Sequence, residues 1–235
     1  SEYQKFVELS LLRLAQILSN LKITNINKII YTSSASVYSL DNDLKNPKLD
    51  SFNRKLYASF KYSAEKLIEN FCYSNNVNFY IMRLFNTYGD ENDQFSFIDK
   101  LIKIKKTKQN LTLINKGISL RDFISLSDVA KIYQKFLKNN YPSGIYDLGT
   151  GQGTLIKNLI DFVNIDNEKI INKKNIIEIS SSIADTKKLQ KNLGSFKFKS
   201  LDSYLRYKLK IKHKNKLNFI KHNYQITKYE GSVIY

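Results

Sequence analysis

The sequence predicts an α/β fold in which long helices separate the strands of a parallel sheet. Apolar segments at residues 28–33, 77–84 and 144–148 have the length and composition of buried strands. Residues 3–21 and 55–75 carry apolar side chains at helical spacing, and they precede and separate the first two of these strands. Strands that alternate with long helices favour parallel pairing, because the helix returns the chain to the same end of the sheet.

The remaining elements follow from the same patterns. The stretch 39–54 is polar and contains Pro47, so we predict a loop there. Gly149, Gly151 and Gly153 have the spacing G-x-G-x-G rather than the G-x-G-x-x-G of dinucleotide loops, which favours a tight turn before a helix. Further helices are predicted at 96–106, 127–138, 155–163, 185–193 and 200–207, and further strands at 111–115 and 175–179.

The composition is that of a soluble globular protein. The apolar fraction is 42%, and no apolar run reaches the roughly 20 residues that a membrane helix needs, so no membrane association is predicted. No secretory signal is visible, and the single cysteine, Cys72, excludes an internal disulfide, so we expect a cytoplasmic protein. Cys72 is expected to pack on its helix. The net charge of +17 comes from dispersed lysines, which indicates compositional bias rather than a nucleic-acid surface.

The end of the chain is strongly basic. Residues 204–228 contain no acidic side chain, and lysines alternate with other residues over 208–216. This period of two predicts either an edge strand with a charged outer face or a disordered basic tail. Both histidines, His213 and His222, lie here without a carboxylate or thiol cluster, so no metal site is predicted.

A tyrosine and a lysine near a serine cluster are the candidate chemical groups. Tyr57 and Lys61 lie one helical turn apart, so their side chains share a face of the helix. A tyrosine hydroxyl ordinarily titrates near pH 10, and a lysine ammonium close by favours its ionised form, the phenolate. Ser33, Ser34 and Asn86 follow strands, where ligands of parallel sheets bind. The set predicts proton transfer at a C–O/C=O centre, although a Tyr/Lys pair alone also fits an ordinary helix with a half-buried tyrosine.

Five segments in order resemble the extended short-chain dehydrogenase/reductase superfamily, within it the NAD-dependent nucleotide-sugar epimerase/dehydratase family (UDP-glucose 4-epimerase-like). The resemblance spans about residues 1–207 and implies a Rossmann-like parallel sheet with a smaller C-terminal α/β substrate lobe. It implies part of an NAD-binding domain at 1–90, mainly substrate lobe with interleaved Rossmann segments at 91–207, and a basic tail at 208–235. The five segments are residues 32–38, Tyr57 and Lys61 with Glu65, residues 83–89, Arg121-Asp122-Phe123-Ile124 with Asp128, and residues 146–151.

The resemblance also implies a role for each matching residue. Tyr57 would be the acid/base at the sugar hydroxyl, and Lys61 would favour its phenolate and bind the nicotinamide ribose. The guanidinium of Arg121 suits the nucleotide diphosphate, which it can bind bidentately. The implied partners are NAD, a nucleotide sugar such as a UDP-sugar, and a second copy of the chain through helices 1–21 and 55–75. The implied sites are catalytic Ser34, Tyr57 and Lys61, cofactor-binding Ser33, Tyr57, Lys61 and Phe85, and substrate-binding Ser34, Asn86, Arg121 and Tyr146.

The residues after Ser34 separate the activities within this family. Sugar 4,6-dehydratases of the family carry Asp-Glu there, whereas this chain has Ala35 and Ser36, so elimination of water is disfavoured. The resemblance therefore implies an epimerase, an isomerase that oxidises the sugar transiently to a keto sugar in sugar-precursor or surface-polysaccharide synthesis. A 4-ketoreductase would use the same Tyr/Lys/Ser set and stays an alternative.

The largest departure from the family is a missing element. Family members begin with a strand, a glycine-rich turn and a helix that receives the cofactor pyrophosphate, and this chain has none of them. We therefore expect a truncated sheet in which strand 28–33 exposes an apolar edge, and weak NAD binding by these 235 residues. Three explanations for the missing element remain open: the chain is a fragment of a longer product, it is a non-catalytic remnant that binds a nucleotide sugar or a protein, or another polypeptide supplies the missing half. A nucleic-acid-binding function is a weaker alternative.

Overall fold

The computed structural model describes residues 2–45, 52–90, 93, 95–107, 109–173 and 180–221. The predicted strand 175–179 and His222 lie outside these residues. The chain forms two compact units, one of residues 1–84 with 138–147 and one of residues 85–137 with 148–235.

Helices and strands alternate along the chain. The α-helices are α1 (Glu2–Val7), α2 (Arg13–Asn20), α3 (Phe52–Ser74), α4 (Phe97–Lys106), α5 (Leu126–Lys138), α6 (Ile156–Val163), α7 (Lys187–Leu193) and α8 (Leu201–Leu209). The strands are β1 (Lys28–Ser34), β2 (Asn78–Leu84), β3 (Asn86–Tyr88), β4 (Leu111–Ile114), β5 (Leu120–Ser125), β6 (Gly144–Leu148), β7 (Gln152–Leu155), β8 (Ile170–Lys173), β9 (Ser181–Ser182) and β10 (Ile220–Lys221).

The first unit contains a three-stranded sheet in the order β1-β2-β6. β1 pairs with β2 in parallel, from Lys28 opposite Asn78 to Ser34 opposite Leu84, and α3 connects the two strands. This arrangement confirms the predicted parallel α/β sheet. Among the strands of the described residues β1 has β2 as its only neighbour, so the predicted open edge is also confirmed.

The core of the first unit lies between this sheet and the helices α2 and α3. Ile68 and Cys72, four residues apart on α3, are 1% exposed and pack with Leu18 of α2 and with Phe79 and Ile81 of β2. Burial raises the pKa of the Cys72 thiol to about 11, so this cysteine packs as a small apolar side chain, as expected.

Two predicted elements of this unit need correction. The helix predicted at 3–21 is interrupted by a π-helical turn at Glu8–Leu12 between α1 and α2. The loop predicted at 39–54 overlaps a 3₁₀ helix at Ala35–Lys45 and the start of α3 at Phe52. Short polar side chains support the 3₁₀ turns here, as the Ser39 hydroxyl does by donating to the carbonyl of Ser36 at 2.6 Å.

The second unit contains a five-stranded sheet and a two-stranded sheet. The larger sheet runs β10-β7-β5-β3, with β9 beside β5, and the smaller one pairs β4 with β8 in parallel. β5 is parallel to β3 and antiparallel to β7. Apolar side chains from α4, α6 and α8 form the core, in which the rings of Phe97 and Phe123 stack at 6.3 Å between centroids.

Several strands of this unit differ from the sequence-based prediction. β3, β5, β7 and β8 were not predicted, and β7 occupies residues that were expected in a turn and a helix start. The edge strand predicted at 208–216 is also wrong, because α8 continues to Leu209 and the following segment folds back along it. There Arg206 donates to the carbonyl of His213 at 2.7 Å, and the amide of the buried Leu217 donates to Asp202 at 2.9 Å. Within the described ranges, no helix has both the length and the apolar composition to cross a bilayer.

Candidate active site

One face of α3, the helix that packs against β1, carries three polar side chains in a row. Tyr57, Lys61 and Glu65 are each four residues apart, so they lie one above another on the helix surface. Their exposure falls steadily along this row: the Tyr57 side chain is 39% exposed, Lys61 is half-buried and Glu65 is fully buried. The row therefore leads from solvent at Tyr57 to a buried carboxylate at Glu65.

Lys61 is fixed by the end of β1. Its Nζ donates to the carbonyl oxygen of Thr32 at 2.9 Å and lies 5.0 Å from the ring centroid of Tyr31 and 5.8 Å from that of Tyr57. Burial lowers the pKa of Lys61, and the negative charge of Glu65 opposes that shift. Burial, with the charges of Tyr57 and Glu65, raises the pKa of Tyr31 to about 12.

The two predicted serines at the end of β1 have different environments. The hydroxyl of Ser33 is buried and donates to Glu65 Oε1 at 2.5 Å. Ser34 is half-buried, and its hydroxyl oxygen accepts from the amide of Ser36 at 3.1 Å and from the Ser36 hydroxyl at 2.9 Å. With two bonds accepted, the proton of Ser34 remains available to donate to a reacting oxygen.

A buried ion pair underlies these groups. Arg83 of β2 donates to Glu65 through Nε at 3.0 Å and Nη2 at 2.7 Å, and its guanidinium lies 4.6 Å from the ring centroid of Tyr38. The Tyr38 hydroxyl donates to Asp147 at 2.6 Å. Burial lowers the pKa of Arg83, but its bonds with Glu65 and Tyr38 more than offset this and raise that pKa. Burial, followed by the charge of Asp147, raises the pKa of Tyr38.

In the second unit, Asn86 and Arg121 lie on neighbouring strands. The Asn86 side chain is exposed and donates to the main-chain carbonyl of Asp122 at 2.9 Å. Arg121 is half-buried, lies opposite Thr154 of β7 and donates to the carbonyl of Leu120 at 2.8 Å. The unit thus brings these two predicted substrate residues to the same part of β3 and β5.

Asp122 holds the turn between β6 and β7. Its fully buried carboxylate accepts from the Thr150 hydroxyl at 2.6 Å and from the amides of Thr150, Gly151 and Ala184 at 2.8–3.2 Å. Burial raises the pKa of Asp122, and the bonds from Thr150, Ala184 and Gly151 oppose that shift. A Cβ on Gly149 would lie 2.4 Å from that of Ala184, which explains the glycine. The predicted turn is present, but it connects β6 to the strand β7 and does not lead directly into a helix.

The structure places other predicted site residues in the core. Tyr146 is 1% exposed, packs edge-on against Tyr80 and donates from its hydroxyl to the carbonyl of Pro142 at 2.5 Å, so its substrate role is not carried further. Ser33 is committed to Glu65, and Phe85 is 6% exposed. Arg83 had no predicted role, although a charged residue inside an apolar strand is a signal that could have indicated a buried ion pair.

Several known proteins are similar to this chain in sequence. A Methanocaldococcus jannaschii protein named for UDP-glucose 4-epimerase activity is 27% identical over 196 residues, which cover 78% of this chain and 62% of that protein. Human dTDP-D-glucose 4,6-dehydratase is 30% identical over 129 residues, which cover 53% of this chain and 36% of the enzyme. The chain therefore spans less than two thirds of the length of these relatives.

A solved structure with low sequence identity supports the fold. The UDP-N-acetylglucosamine 4-epimerase of Methanobrevibacter ruminantium superposes with a TM-score of 0.69 at 23% identity, over 89% of this chain and 70% of the epimerase chain. Residues 3–149, well over half of the chain, match the sequence profile of one protein family. The chain belongs to the NAD dependent epimerase/dehydratase family.

Proposed function

We propose that this chain carries the catalytic and substrate-binding residues of an NAD-dependent nucleotide-sugar epimerase, acting on a UDP-sugar at C4. The observation that carries the proposal is the anchoring of Lys61 between the rings of Tyr31 and Tyr57 by the Thr32 carbonyl. This geometry holds an ammonium on the same helix face as an exposed phenol, a side chain that can transfer protons in catalysis. The epimerases among the relatives support the same class of substrate.

The proposed proton transfer uses Tyr57 and Ser34. The Tyr57 phenolate would take the proton from the sugar hydroxyl as the carbonyl forms, and would return it when the carbonyl is reduced. Lys61 would favour the phenolate through its positive charge. The Ser34 hydroxyl would donate to the reacting oxygen, a role that fits an oxygen already accepting two bonds from Ser36.

The side chains present fit one end of NAD. The bond from Lys61 to Thr32 uses one of the three ammonium donors, so two donors can meet the ribose hydroxyls. When bound, NAD supplies hydride transfer, which takes the hydrogen from the sugar carbon and returns it to the opposite face. The fit does not extend to the pyrophosphate, because the first of the eight glycines is Gly89 and these residues therefore carry no glycine-rich turn ahead of β1.

The residues after Ser34 favour epimerisation over dehydration. A dehydratase needs an acid and a base placed to remove water, and the positions beside Ser34 hold Ala35 and Ser36. The Ser36 hydroxyl instead donates to the Ser34 hydroxyl at 2.9 Å. These residues therefore fit the epimerases better than the dehydratases among the relatives. A ketoreductase would need the same residues.

For substrate binding we propose Asn86 and Arg121. Arg121 would pair with the diphosphate of the UDP-sugar, and Asn86 would donate an amide N–H close by. A non-catalytic form that binds the UDP-sugar alone is the second candidate, since these 235 residues include this pair but no pyrophosphate turn for NAD.

Calorimetric titration of the purified chain with UDP-glucose and UDP-N-acetylglucosamine tests the proposal. We expect binding by the wild-type chain and its loss in Arg121→Ala, whereas Arg13→Ala, which removes an exposed arginine of the first unit, should bind as the wild type does. Equal binding by all three chains would show that Arg121 does not hold the diphosphate. No binding to either sugar by a folded wild-type chain would refute the proposed substrate class.

A further inference from the structure

The buried carboxylate of Glu65 joins every element that carries a proposed catalytic group. It accepts hydrogen bonds from Ser33 at the end of β1 and from both Nε and Nη2 of Arg83 on β2. Ser33 and Arg83 are directly opposite each other in the β1–β2 register. Glu65 itself lies one helical turn beyond Lys61, and Ser33 directly precedes Ser34.

The cluster continues to the third strand of the sheet. Arg83 lies against the ring of Tyr38, in the 3₁₀ helix that follows β1, and Tyr38 donates to Asp147 of β6. Three strand ends, one helix and the segment after Ser34 therefore meet through side chains within the first unit. A shift of the Glu65 carboxylate would move both β1 and α3.

Stability alone is a weak reason for this ion pair. Removing two charges from water costs several kcal/mol for each ion, and apolar side chains of similar volume often stabilise a core equally well. A fully buried glutamate that accepts three hydrogen bonds instead fixes the positions of its neighbours, because both carboxylate oxygens have defined donors.

Glu65 is also the negative charge that acts on Lys61. On β1 the ammonium faces the Tyr31 ring and the Thr32 carbonyl, on α3 it faces Tyr57, and the charge of Arg83 on β2 is paired with Glu65. Burial and Glu65 act on the Lys61 pKa in opposite directions.

We propose that Glu65 is a positioning residue that holds the Ser34 end of β1 in register with the Tyr57 and Lys61 face of α3, with its negative charge one helical turn from the Lys61 ammonium. The inference rests on the proposed function only for the roles of Ser34, Tyr57 and Lys61. Glu65 acts through Lys61 and Ser33, and it does not itself meet a substrate.

The test is an NMR pH titration of the ligand-free chain with ¹³Cε-labelled lysine, in which the Lys61 signal is assigned by its loss in Lys61→Arg. The double variant Glu65→Gln/Arg83→Met removes the buried pair without leaving an unpaired charge. We expect the Lys61 titration to move to lower pH in this variant. Glu69→Gln removes a charge from the same helix, where Glu69 pairs with Lys66 at 2.6 Å, and should leave the Lys61 titration unchanged.

A second variant covers the case in which the double variant does not fold. Glu65→Asp keeps both charges and draws the carboxylate back by one methylene, so it should shift the Lys61 titration in the same direction by a smaller amount. We also expect faster hydrogen exchange at the Ser34 amide in both variants. An unchanged Lys61 titration in a folded variant would overturn the proposal and leave Glu65 a purely structural residue. Because no ligand is added, this outcome is independent of the UDP-sugar titration.

Discussion

Replacing Asp122 with alanine should destabilise the chain far more than its single side chain suggests. The carboxylate is fully buried and accepts from three main-chain amides and one hydroxyl, on Thr150, Gly151 and Ala184. These donors belong to the turn after β6 and to the segment before α7, so one residue of β5 fixes both. The main-chain carbonyl of Asp122 also accepts a hydrogen bond from the Asn86 side chain.

The magnitude follows from the number of donors left without an acceptor. Each buried donor that loses its partner costs about 1–3 kcal/mol, and water entering the space left by the side chain would recover part of this. We therefore expect a loss of about 3–5 kcal/mol in the free energy of unfolding for Asp122→Ala. Asp122→Asn should lose nearly as much, because its NH₂ group would face amide donors. Thr150→Val removes one hydroxyl and should cost only about 1–2 kcal/mol.

Urea unfolding followed by circular dichroism measures these differences from the midpoints and slopes. Asp161→Asn, an exposed change on α6, controls for the loss of one negative charge and should stay within about 0.5 kcal/mol of the wild type. A loss below about 1 kcal/mol in Asp122→Ala with an unchanged slope would refute the reasoning. It would mean that the turn is held by packing rather than by the carboxylate.

Three further predictions concern burial. Burial raises the pKa of Tyr146 to about 12. The stabilisation that the neutral phenol gives the folded state is therefore complete below pH 10 and falls as pH rises towards 12. Tyr146→Phe should remove one phenol from the high-pH step of a titration of the folded chain followed by absorbance at 295 nm. Phe136→Ala, at a fully buried site, should cost about 3–5 kcal/mol in urea unfolding, whereas Leu137→Ala, 62% exposed, should cost less than about 0.5 kcal/mol. We expect the exposed apolar side chains of residues 6–17, with those of α3, to form a homodimer interface. The double variant Leu9→Lys/Leu12→Lys should then lower the molar mass measured by light scattering from that of a dimer to that of a monomer. The control Leu137→Lys should leave the measured mass unchanged.

The central sheet and the row on α3 could be predicted because their signals are local. Strand β1 is a continuous apolar run, and α3 shows apolar residues at helical spacing, so Tyr57, Lys61 and Glu65 fall on one face by periodicity alone. The order of strand, helix and strand then requires the parallel pairing that places Ser34 at the end of the sheet.

The parts that could not be predicted depend on contacts distant in sequence. β5 and β7 carry Arg121, Asp122 and Gln152, which weaken any alternation of apolar residues, and they become strands because hydrogen bonds between them and to the turn satisfy those groups. The Ser33–Glu65–Arg83 cluster joins residues 32 and 18 positions apart, so its geometry is visible only in the fold. Tyr146 received a substrate role from resemblance, but packing against Tyr80 buries it.

The lack of a glycine-rich turn ahead of β1 in these 235 residues predicts how weakly they bind NAD. Such a turn binds the pyrophosphate through main-chain N–H groups, and hydrogen bonds to a charged group contribute about 1.5–3 kcal/mol each. Without two or three of them, binding should weaken by about 4–6 kcal/mol, roughly a thousandfold or more. Under the proposed function, these residues would hold the nicotinamide-ribose end through Lys61 and Tyr57. We therefore expect NAD and nicotinamide mononucleotide, which lacks the adenylate half, to bind this chain with similarly weak affinity in calorimetry. A dissociation constant for NAD in the low micromolar range, much tighter than that for the mononucleotide, would show that other residues of this chain hold the pyrophosphate and adenosine.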